Sequence, residues 1–152
     1  KSSRFTTFEM GMGQRLSVFA ACLWWGSLTT IGFLVVPLLF ANLPTPALAG
    51  NMAARLFSAQ TWVGGACGLV LLLNCKEKQP PALVNSASAA IIFIVFGLLM
   101  VMLLEFAVAP RIVARENLRV WHTVGTAMYL LQWLCASMIL WRVTKPTGDT
   151  PD

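Results

Sequence analysis

Glu105 and His122 are the residues whose types best suit proton transfer or metal binding. Glu105 falls at the end of a long run without charge, five residues before Pro110; His122 opens the next such run, three residues after Arg119. If both runs are helices, a rise of 1.5 Å per residue sets the two side chains roughly 5–8 Å inside the same end. An ionised carboxylate in apolar surroundings is costly unless it is paired. His122, Arg119 and Arg111 are the partners that this spacing offers. The pair would either handle a proton or metal, or be an ion pair that ties two helices together. Its place near the helix ends favours the structural reading.

Thr126, Tyr129 and Gln132 follow His122 at helical spacing, so the last run carries a polar stripe. Together with Glu105 they are the candidate polar interior. Gly26, Gly64, Gly68, Gly97 and Gly125 are the candidate packing positions, and Gly64 and Gly68 form a G-x-x-x-G. Small residues of this kind let helix backbones approach closely. Metal chemistry has thin support. A single histidine excludes bis-histidine haem within one chain. Met10-x-Met12 and Met100-x-Met102 resemble soft copper(I) ligands, but residues two apart diverge on a helix. H-E-x-x-H, G-x-S-x-G and P-loop motifs are absent, and no carboxylates pair at catalytic spacing. We therefore expect no enzyme activity, no cofactor and no metal site.

The elements that must position these residues follow from composition. Of 152 residues 57% are hydrophobic and only 11% charged, too few charges to coat a water-soluble surface. Four runs without charge span 16–41, 56–74, 82–104 and 120–141. About 20 apolar residues cross a hydrocarbon core of roughly 30 Å. In lipid each backbone polar group must be satisfied internally, so the runs become helices. The fold class expected is all-α, a four-helix transmembrane bundle, flanked by an N-terminal segment 1–15 and a tail 142–152. The first run exceeds a signal-peptide core, which is about 7–15 residues, and is read as a retained helix. Pro37 should kink or end it. Thr45 and Pro46 look like the cap and first residue of the second helix, and Pro80-Pro81 like the next turn. Trp24, Trp25, Trp62, Trp121, Trp133 and Trp141 lie mostly toward the ends of runs, as an aromatic belt would. No disulfide is expected among the four cysteines.

The net charge of +5 sits at the ends of the runs, which marks topology rather than nucleic-acid binding. Lys1, Arg4, Arg15, Lys76, Lys78, Arg142 and Lys145 fall on one side and outnumber Arg55, Arg111, Arg115 and Arg119 on the other. The positive-inside rule puts both termini in the cytoplasm. Phe33-Leu-Val-Val-Pro37 and Phe106-Ala-Val-Ala-Pro110 punctuate the first and third runs alike. Thr61-Trp-Val-Gly64 and His122-Thr-Val-Gly125 open the second and fourth. The match is either a duplicated helical hairpin or chance among common residues.

Leu23-Trp-Trp-Gly26, Gly32-Phe-Leu-Val-Val-Pro37-Leu-Leu-Phe40, Leu43-Pro44, Ala47-Leu-Ala-Gly50, Arg55-Leu-Phe57, Trp121-His122 and Tyr129-Leu-Leu-Gln132 form one pattern. It resembles bacterial inner-membrane proteins of the domain of unknown function 4149, related to the eukaryotic transmembrane protein 205. In that family the last helix opens on Leu-His-Gly-x-Ser. Here Trp121-His122-Thr-Val-Gly125 keeps the histidine without the following Gly and Ser. The resemblance implies a four-helix fold and an inner-membrane location, and no reaction. A lipid bilayer and other membrane subunits are the partners expected, with an accessory, structural or assembly role. The alternative is a small-solute transporter or a copper- or haem-handling membrane protein.

Overall fold

The computed structural model describes residues 11–77, 84–114 and 117–145. Pro80-Pro81 and most of the segment 1–15 and of the tail 142–152 lie outside them. The helices are α1 (Met12–Thr30), α2 (Val36–Asn42), α3 (Pro46–Glu77), α4 (Val84–Leu103), α5 (Ala109–Val113) and α6 (Leu118–Thr144). A π-helical turn, Ile31–Val35, joins α1 to α2, and another, Leu104–Val108, joins α4 to α5. Four stretches are long and apolar enough to cross a membrane: Met12–Asn42, Pro46–Cys75, Ala89–Val113 and Arg119–Thr144. The chain is thus all-α, four spans packed as a bundle that implies a lipid bilayer. The helices outrun the charge-free stretches at several ends, because helical hydrogen bonding continues past the hydrocarbon edge.

Pro37 does not end the first span. A proline ring clashes with the carbonyl four residues back and offers no N–H. The π turn removes the problem by skipping a residue: the Val36 N–H donates to the Ile31 carbonyl. Ala109 does the same toward Leu104 ahead of Pro110. Pairing Pro37 with Pro110 therefore lays Ile31–Val35 on Leu104–Val108 residue for residue. The start of α3 follows its sequence signal. The Leu48 N–H donates to Thr45 Oγ1 at 3.3 Å, with Pro46 as the first helical residue.

α1 packs between α3 and α6, and α4 packs between the same two on the other side. The core is built alike in both hairpins. Ala21, Trp24 and Leu28 of α1 are buried, and the equivalent Ile94, Gly97 and Val101 of α4 are buried too. In the other pair of helices Gly64, Cys67, Gly68 and Leu71 correspond in burial to Gln132, Cys135, Ala136 and Ile139. This corrects the register read from the sequence, which matched Gly64 to Gly125. Burial shifts the match about two helical turns along α6. All four cysteines are free.

Candidate functional site

Trp24 is the largest of the fully buried side chains in the bundle. Trp24 is 0% exposed. A Cβ added at Gly64 would lie 3.0 Å from Trp24 Nε1, and one at Gly97 would lie 2.9 Å from the far edge of the indole. Both glycines thus make room for the ring, as small residues do where helices approach. This corrects the assignment of Trp24 to an aromatic belt. Trp25 and Trp133 also face protein: Trp25 Nε1 donates to Ser137 Oγ and Trp133 Nε1 to Thr29 Oγ1, each at 2.9 Å. Trp62 and Trp141 are exposed, and Trp121 lies under the Arg111 guanidinium, 4.4 Å from the ring centre.

Polar groups surround the indole. Gln60, 3% exposed, donates through Nε2 to Ser27 Oγ at 3.0 Å, and Ser27 donates to the Trp24 carbonyl. Gln132 is 2% exposed, and its Nε2 lies 3.5 Å from the Cβ that Gly64 lacks. Among the described residues Trp24 Nε1 and Gln60 Oε1 are buried without a hydrogen-bond partner. Gln60 was missed from the sequence. As an amide one helical turn before Gly64, in a span with few polar residues, it carried a readable signal.

The two π turns each receive a polar group from a neighbouring helix. Tyr129 Oη, from α6, donates to the Leu28 carbonyl at 2.8 Å. Gly32 permits this, because a Cβ there would lie 2.5 Å from Tyr129 Cε1. At the equivalent place in the second π turn stands Glu105. Ser58 Oγ, from α3, donates to its carboxylate at 3.0 and 3.2 Å, and Thr61 Oγ1 lies 3.4 Å from Oε2.

Glu105 is half-buried and turned toward α3. Its partners are these hydroxyls, not His122, Arg119 or Arg111. The sequence set Glu105 and His122 at one end of adjacent helices but said nothing of the rotation of α3. His122 and Thr126 are exposed; Tyr129 is half-buried and Gln132 buried. The packing glycines divide similarly. Gly68 faces Leu98, with 2.5 Å left for a Cβ, and Gly125 faces Val108 at 3.3 Å. A Cβ at Gly26 would meet nothing within 4 Å. Among the described residues no three of His, Cys, Asp or Glu converge to hold a metal ion.

The fold and the site define a four-span membrane bundle with a tryptophan at its centre and a hydroxyl-bound carboxylate at one π turn. The chain belongs to the family Domain of unknown function (DUF4149), which residues 19–120 match. That stretch ends just before Trp121-His122, so the opening of α6 lies outside it. No curated protein and no solved structure matches the chain.

Proposed function

We propose that the chain is a non-catalytic subunit, accessory or structural, of a larger membrane complex in a bacterial inner membrane. One observation carries the reading: Trp24 fills the centre of the bundle, wholly buried against Gly64 and Gly97. An indole across the axis blocks a path between the helices. Around it Gln60, Ser27 and the Trp24 carbonyl are hydrogen-bonded to one another. What remains for function is the outer surface. The excess of Lys and Arg at the chain ends and the second connection supports an orientation with both termini in the cytoplasm.

The test is purification of the tagged chain from native membranes in mild detergent. Stoichiometric co-migration with larger membrane subunits is the expected result. A lone chain that carries copper, haem or a bound small solute would overturn the reading in favour of a transporter or metal-handling protein.

A further inference from the structure

We propose that Glu105, Ser58 and Thr61 form a binding site for a hard monovalent cation of the sodium class, at the contact between α3 and the second π turn. Glu105 is the only acidic residue within the four spans. Among the described residues no cation pairs with it; its contacts are the hydroxyls of Ser58 and Thr61. A carboxylate at membrane depth with no compensating positive charge is costly.

The hydroxyls are too few in protons to satisfy it. Thr61 has one hydroxyl hydrogen and two acceptors in reach, the Phe57 carbonyl at 3.1 Å and Glu105 Oε2 at 3.4 Å. When the hydrogen goes to the nearer one, two oxygens face each other across the site with no hydrogen between them. Ser58 likewise has one hydrogen for two carboxylate oxygens. A small cation removes both conflicts by taking the lone pairs.

The π turn also leaves a backbone carbonyl free at the same residue. In an α-helix the Glu105 carbonyl would accept from Ala109, whose N–H goes instead to Leu104. At π spacing it would accept from Pro110, which has no N–H. The Glu105 carbonyl therefore has no rung of either spacing. Carbonyls freed where membrane helices unwind are recurrent ligands of sodium. Oxygen ligands select a hard ion, and a single carboxylate matches a single positive charge.

The test uses the isolated full chain in nanodiscs, and so stands apart from the complex-subunit reading, which concerns what the chain binds in native membranes. Thermal unfolding is followed while NaCl replaces choline chloride at constant ionic strength, and sodium-22 binding is measured at equilibrium. We expect a saturable rise of the midpoint with sodium and about one sodium bound per chain. Glu105→Gln should abolish both, and Ser58→Ala should move half-saturation several-fold higher. Equal stabilisation by both salts, or a sodium response unchanged in Glu105→Gln, would overturn the site. So would full stabilisation by acid in choline with nothing added by sodium, because a proton then neutralises the carboxylate. If Glu105→Gln does not fold, Ser58→Ala decides: an unshifted half-saturation sinks the proposal.

Discussion

Gly68 and Gly64 lie where large side chains from neighbouring helices come close, Leu98 at one and Trp24 at the other. Gly68→Leu and Gly64→Leu should each destabilise the bundle by about 1–3 kcal/mol, the usual cost of overpacking. Gly26→Ala should not destabilise, and should add up to about 0.5–1 kcal/mol through the better helix propensity of alanine, because the added carbon meets no neighbouring helix within 4 Å. Thermal unfolding in detergent checks all three, and a neutral Gly68→Leu would show that this face has room. Gly32→Ala should also destabilise, by collision with Tyr129. A double-mutant cycle with Tyr129→Ala should recover part of the loss. The sequence marked Gly64, Gly68, Gly97 and Gly125 as packing sites through their spacing. It did not mark Gly32, whose need for a bare backbone arises only from Tyr129 on another helix. The same limit explains Glu105. Its inward turn follows from the cost of a carboxylate facing lipid, whereas its partners depend on how α3 is rotated. Spacing along one helix carries no information about that rotation.

At the scale of elements the four spans were legible, because hydrocarbon tolerates few charges and forces the backbone into helices. Their ends were less so, since capping and π turns obey local geometry instead. Pro37 reads as a helix breaker in isolation. It is accommodated because the π turn carries the ladder past the proline, the Val36 N–H reaching back to the Ile31 carbonyl. The same device before Pro110 frees the Glu105 carbonyl. Pro110→Ala should restore a donor to that carbonyl and tighten the turn. Slower hydrogen–deuterium exchange over residues 104–110, with the rest of the chain unchanged, is the expected outcome. Unaltered exchange there would mean that the π turn does not depend on the missing N–H. The match of the first and third spans was visible in Phe33 to Pro37 and Phe106 to Pro110. The register of the other pair was not, because Val-Gly pairs recur by chance while burial depends on the whole bundle.

For the whole molecule, the bias of Lys and Arg toward the chain ends predicts cytoplasmic termini. Terminal fusions should be active with a reporter that works in the cytoplasm and silent with one that works outside; the reverse pattern would invert the topology. The proposed subunit role requires a bundle that is closed at its centre and acts through its outer surface. Trp24, at 0% exposure between Gly64 and Gly97, is the physical basis of that closure. Reconstitution into liposomes tests it most directly, with stopped-flow measurement of urea, glycerol and sodium entry against empty liposomes. A closed bundle adds no flux of any of them, whether or not sodium binds at Glu105. A flux that rises in proportion to the amount of protein would contradict it.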